Sequence, residues 1–209
     1  MRKFTVIPLA ALLVLAVAAP ASAGANVSNS SNAASTAQGS WYSDAGGVDT
    51  YGSVNAWQET GSSEVYLDFW EESGQYVDCT PADDTDKSYG FQGQYRSGYG
   101  EGSFTIGKGS GNAEASGMLD ITTTTVDDCA GTYVDSQEGR VAVSLALVAT
   151  GSKIIERGTS SFKVPGEFNS HSSYSTTSRL ASGTATIGGV DIAVDGAIGK
   201  ISWRDHNNG

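Results

Sequence analysis

Residues Gly183–Trp203 read GTATIGGVDIAVDGAIGKISW, and this stretch decides the fold. Ala185 and Ile187 before the double glycine, and Val190, Ile192 and Val194 after it, fall at every second position. That is the period of a strand with one buried face. Gly188-Gly189 supplies two residues free to take positive φ, as a two-residue hairpin turn requires. Centring a pairing on this turn sets Ile187 against Val190, Ala185 against Ile192 and Gly183 against Val194. Asp195-Gly196 reads as a second turn of the same kind. It would set Val194 against Ala197, Val190 against Ile201, and Asp191 against Lys200 as a cross-strand ion pair. The stretch thus predicts a three-stranded antiparallel meander with one apolar face.

The same grammar extends outward. Tyr51–Glu59 and Ser63–Glu71 flank the turn Thr60-Gly61-Ser62-Ser63, and pairing them places Ala56 opposite Leu67 and Val54 opposite Phe69. Further strands are predicted at Tyr89–Arg96, Ser103–Lys108, Ala113–Thr125, Arg140–Thr150, Lys153–Phe162 and Ser173–Ile187. Gly107-Lys108-Gly109-Ser110-Gly111 reads as a hairpin turn. No segment carries a long 3.6-residue apolar period. The fold class is all-β: an antiparallel β-sandwich or an up-and-down β-barrel of about nine or ten strands.

Residues 1–23 have the layout of a secretory signal peptide. Arg2 and Lys3 precede an apolar run to Pro20, and Ala21-Ser22-Ala23 offers small residues at a cleavage point. Residues 24–40 are Ser, Asn and Ala with almost no large apolar side chain, which predicts a flexible leader. Residues 41–209 then form a single β domain. These features predict a secreted or extracellular protein, with the periplasm or cell surface as variants of the same export. Cys79 and Cys129, an even pair in an exported chain, predict one disulfide.

The chain carries 12 bases and 23 acids, a net charge of −11. Without Arg2 and Lys3 it falls to −13. Nucleic acid and anionic membrane are poor partners for such a balance, since phosphate contacts rely on Lys and Arg. The charge is uneven: Trp41–Asp135 holds 17 acids and three bases, whereas Ser136–Gly209 holds six and seven. Aromatics share this bias, with 13 of 19 between Trp41 and Phe104.

The register that buries Ala56, Leu67 and Phe69 turns Trp57, Tyr66 and Trp70 to the opposite face. Flat rings beside Asn55 and Asp68 are what sugar rings stack on, so these three are candidate ligand-stacking residues. The competing expectation is that a second layer or a barrel interior covers them. Asp78, Asp83, Asp84, Asp86, Asp127 and Asp128 crowd the two cysteines and form a weak candidate Ca²⁺ site. An EF-hand is excluded, because the loop counted from Asp84 meets Tyr89 and Tyr95 where it needs Gly and Glu.

Catalytic signatures are sparse. His171 and His206 are the two histidines, and neither sits in a patterned triad or metal motif. Glu71, Glu72, Asp68 and Glu101 are the carboxylates from which a glycosidase pair would be drawn. No catalytic residue is assigned and no resident cofactor is required. The leading expectation is an exported non-catalytic β protein presenting a binding surface for glycan or another extracellular polymer. A structural or interaction protein of the cell surface, and a secreted hydrolase using a carboxylate pair, are the alternatives. Stable membrane insertion is not expected, because acids recur in the middles of the strands, where a lipid-facing band needs apolar residues.

Overall fold

A computed structural model of the chain describes residues 28–81, 86–164 and 168–208. The signal peptide read in residues 1–23 lies outside the described residues. Eight antiparallel strands follow one another around a closed barrel. They are β1 (Ser28–Ala45), β2 (Val48–Glu59), β3 (Tyr66–Asp78), β4 (Tyr89–Ile106), β5 (Asn112–Asp127), β6 (Thr132–Val164), β7 (Phe168–Ile187) and β8 (Val190–Asn208). Each strand pairs with its neighbours in sequence, and β8 closes the ring on β1. Of the two architectures open to the sequence, the barrel is the one formed.

Two-residue alternation builds the interior. Val54 and Ala56, Leu67 and Phe69, Leu119 and Ile121, Leu145 and Leu147, and Val194 and Ile198 all point inward and are buried. An eight-stranded ring is just wide enough for side chains to fill it, and these do. The pairings centred on Gly188-Gly189 hold residue for residue, with both glycines at positive φ. So do Ala56 opposite Leu67 and Val54 opposite Phe69.

Three expectations need correction. Asp195-Gly196 is not a turn, because β8 runs straight through it. Gly196 is there for close packing: a Cβ at this position would run into the backbone oxygen of Gln38 on β1. Asp191 therefore meets Thr186, whose hydroxyl donates to it at 2.7 Å, while Lys200 lies between Thr177 and Ser35. Second, residues 28–40 of the expected leader form most of β1, paired with β8 throughout and with β2 as well from Ala34 onward. Their small inward side chains are what the packed bore admits. A Cβ on Gly39 would come within 2.7 Å of Leu145 Cδ1. Third, the strands number eight. Arg140–Thr150 and Lys153–Phe162 are one strand, β6, joined through an irregularity between Ala149 and Lys153. Tyr89–Arg96 and Ser103–Lys108 likewise merge, apart from the last two residues, into β4.

The strands outrun the ring at both ends. At one end β3 to β6 continue past β2 and β7, and Cys79 and Cys129 form a disulfide there, Cα to Cα 5.2 Å. At the other, β6, β7, β8 and β1 continue past β5 and β2, reaching Val164↔Phe168 and Ser28↔Asn207.

Candidate functional site

The predicted stacking residues lie on the outer wall over β2 and β3. Trp57 and Tyr66 are cross-strand partners with ring centroids 5.7 Å apart and planes tilted by 36°. Trp70 stands four residues along β3 on the same face. Tyr66 is 48% exposed and Trp70 40%, while Trp57 is half-buried. Among the described residues no second layer covers them. The competing expectation, a barrel interior, applies to their odd-numbered neighbours on β3 instead. Phe69, next to Trp70, is 1% exposed.

Polar groups stand between the rings. Asn55 Nδ2 donates to Asp68 Oδ2 at 2.7 Å, midway between Tyr66 and Trp70. Desolvation pushes the Asp68 carboxyl above the usual range, against the lowering effect of that hydrogen bond. Tyr66 donates its hydroxyl to Glu64 at 2.7 Å, which raises the phenol's pKa.

Register adds rings that the β2–β3 pairing alone does not include. Tyr99 of β4 sits beside Asp68 and is 83% exposed. Tyr51, opposite Glu72, brings in Tyr42 of β1, whose ring lies 4.7 Å away and tilted by 34°. Tyr42 in turn donates to Asp49 at 2.8 Å, a bond that pushes its hydroxyl up to about 12. The aromatic bias of the first half was visible in the sequence. Its concentration on one outer wall needed the β3–β4 and β1–β2 pairings.

The carboxylates near the cysteines each have a local task. Asp78 pairs with Lys87, a contact that holds its carboxyl down at about 2. Asp127 accepts from the Gln92 side chain, and also from the Ala130 N–H at 3.1 Å. Asp128 accepts from Tyr133 Oη at 2.6 Å and from the Phe91 N–H at 2.9 Å. These donors hold both carboxyls below their usual range. Asp86 is exposed, and Asp83 and Asp84 lie outside the described residues. Among the described residues, no three His, Cys, Asp or Glu side chains come together as a metal would need.

The carboxylates considered for hydrolysis separate. Glu71 turns into the barrel and pairs with Arg96 Nη1 at 2.7 Å. Asp68, Glu72 and Glu101 turn outward onto the wall. Arg96 also binds Glu138 through Nε at 2.8 Å and Nη2 at 2.9 Å, and its guanidinium lies 5.4 Å from the centre of the Phe69 ring. Glu138 reaches inward because it is the extra residue where the β5–β6 register shifts. This cluster closes one end of the apolar core. The sequence did not announce it, because a lone Arg in a strand carries no signal until its partners are known.

No protein-family model and no curated protein matches the chain. Among solved structures, the chain is similar to the beta domain of the Bordetella autotransporter Brka at 9% identity. The alignment covers 84% of this chain and 98% of that one, with a TM-score of 0.18. A likeness at that level carries no argument about this chain.

Proposed function

We propose that this chain is an exported, non-catalytic binding protein whose outer wall over β2–β4 takes a neutral glycan or a similar extracellular polymer. One observation carries the reading: Trp57, Tyr66 and Trp70 share an outward face with Tyr99, with the Asn55–Asp68 pair set among them. Exposed rings of this number are costly to leave in water, and hexose C–H faces are suited to cover them. The amide and carboxylate between the rings offer both donor and acceptor to sugar hydroxyls. Asp68, Glu72 and Glu101 give the wall negative charge, which favours a neutral ligand over an anionic one. The disulfide is of a kind that persists outside the reducing cytoplasm, in keeping with export.

The wall is suited to water, not lipid. Asp68, Glu72, Glu101, Glu114, Asp120, Asp191 and Asp195 are all outward by register, and no uninterrupted apolar band is left among them.

A glycan array with wild type and a Trp57→Ala/Trp70→Ala variant tests the proposal. Binding to neutral glycans that falls at least about tenfold in the variant supports it, since stacked rings contribute on the order of 1 kcal/mol each. Absent or unchanged binding rejects it.

A further inference from the structure

We propose that the inward face of the β6–β7–β8–β1 extension is a trough for an acidic polysaccharide, lying along the strands. The inference rests on cross-strand register and is independent of the aromatic wall.

Beyond the closed ring, successive inward rows can be read across β6, β7 and β8. The row at the rim holds Lys153 opposite Arg179, and the next holds Lys200. Arg157 follows, then Arg204. His171 and His206 stand opposite one another in the fifth row, and Lys163 lies in the sixth. Every row therefore presents a cation or an imidazole, at intervals of about 7 Å along the strand direction. Six of the ten bases that follow the signal peptide are on this one face. Among the described residues no Asp or Glu shares it, because Glu156 and Asp205 fall on the outward rows.

These groups are open to solvent. Lys153, Arg157, Lys163, Lys200 and Arg204 are exposed; Arg179 is partly covered and donates from Nε to the Gly151 carbonyl at 3.1 Å. Where the fourth and fifth rows meet, a cavity of about 350 Å³ is lined by Ser31, His171, Ser173, Arg204 and His206. Ser30 and Asp205, from the outward rows, line it as well, so one carboxylate borders the trough here, and Ser30 Oγ donates to Asp205 Oδ2 at 3.5 Å.

Gathering like charges on one face costs free energy that an anionic occupant removes. The groups between the cations decide its type. Thr177, Ser175, Ser202, Thr159 and Ser173 offer hydroxyls in the same inward rows. The aromatic side chains nearby, Tyr174 and Trp203, belong to the outward rows. A single-stranded nucleic acid would ask for a run of Trp, Tyr or Phe rings on which successive bases stack, and the only rings on this face among the described residues are the two imidazoles of its fifth row. A sugar chain with regularly spaced carboxylate or sulfate groups needs cations and hydroxyls, which it does supply. The acidic wall elsewhere on the molecule would repel such a chain and confine it to the trough.

The test uses the full chain with three immobilised probes: polygalacturonate, dextran sulfate and uncharged dextran. An oligo-dT strand is the fourth. The expected result is binding to both charged polysaccharides that weakens steeply with salt, and none to uncharged dextran. Lys200→Gln/Arg204→Gln should reduce affinity at least about tenfold and make the salt dependence shallower by about one to two counterions. Lys153→Gln/Arg157→Gln, on a different strand, should do the same. Lys108→Gln/Arg140→Gln removes two exposed bases outside the trough and should leave affinity at the wild-type value. Each variant's melting midpoint is checked first, and these exposed side chains should leave it unmoved. Equal losses in the trough and control variants would overturn the proposal. So would equal binding to uncharged dextran or tighter binding to oligo-dT. Sedimentation showing that the trough variants change self-association, with no polysaccharide bound, would overturn it too.

Discussion

At one end of the barrel, β3 to β6 run past the ring and are tied by a disulfide and by the Arg96–Glu71–Glu138 cluster. At the other end, β6, β7, β8 and β1 run past the ring without a covalent tie, and their inward face is lined with cations. The first extension uses its charges internally: Asp78 with Lys87, Asp128 with Tyr133, Arg96 with two carboxylates. The second leaves most of its charges pointing into solvent. Similar backbone architecture thus serves two ends, one in which polar groups hold the chain together and one in which most of them face solvent.

Breaking the tie should have the largest effect. Cys79 and Cys129 are 50 residues apart, and a loop of that length stabilises by about 4 kcal/mol in the chain-entropy account. Cys79→Ser/Cys129→Ser should lower the urea midpoint accordingly. Amide exchange should rise first at the β3–β4 and β5–β6 connections, with little change at the Val164 end of β6. Uniform loss of protection along the whole chain would show that the two ends are not separable.

Arg96→Met comes next. It leaves Glu71 and Glu138 without their cation; complete burial would cost roughly 3–5 kcal/mol, and partial exposure at this site reduces that to about 2–3. Adding Glu71→Gln and Glu138→Gln should recover most of the loss. If Arg96→Met alone is neutral in a denaturant titration, the cluster is not what holds this end.

Much of this was legible in the chain, and the misses have physical causes. Turn chemistry fixed the Ile187–Val190 pairing, and a hairpin with alternating partners fixed Trp57 opposite Tyr66. The same rule failed at Asp195-Gly196, where glycine serves close strand packing against Gln38 and not a turn. Residues 28–40 looked too poor in apolar side chains to fold. In a ring this narrow, Gly39 leaves room for Val194 of the adjacent β8 and for Leu145 of β6 from across the bore, and the small Ala37 beside it is buried. The even charge balance of the second half concealed the trough. Net charge ignores which side of a strand a residue takes, and the rows become visible only once the irregularity after Ala149 is placed.

Acid should also distinguish the ends. Hydrogen bonds hold Glu138, Asp127 and Asp128 below their usual range, and Asp78 is held at about 2. A carboxyl depressed by folding contributes stability that is present above its unfolded pKa of about 4 and is lost as pH falls through its folded value. The midpoint should therefore drop between pH ~4 and ~2, with exchange rising at the disulfide end. Asp68 works in the opposite sense: its raised pKa means the folded state gains on protonation. A flat profile across that window would contradict the engaged state of these carboxylates.

The smallest effect on stability belongs to the two proposed ligand surfaces, and there the contrast is in binding. Trp70→Ala removes a ring already 40% in water and should cost about 1 kcal/mol, against 3–5 for its inward neighbour Phe69→Ala. Lys200→Gln/Arg204→Gln should cost less still, because both side chains are exposed. If the wall and the trough are separate sites, Trp57→Ala/Trp70→Ala loses neutral glycans but keeps dextran sulfate, and the trough variant does the reverse. Isothermal titration of both variants with both ligands reads the four combinations directly. A variant that lost both ligands while keeping its melting midpoint would mean one continuous surface, with the polymer running from the rings of β3 to the cations of β8.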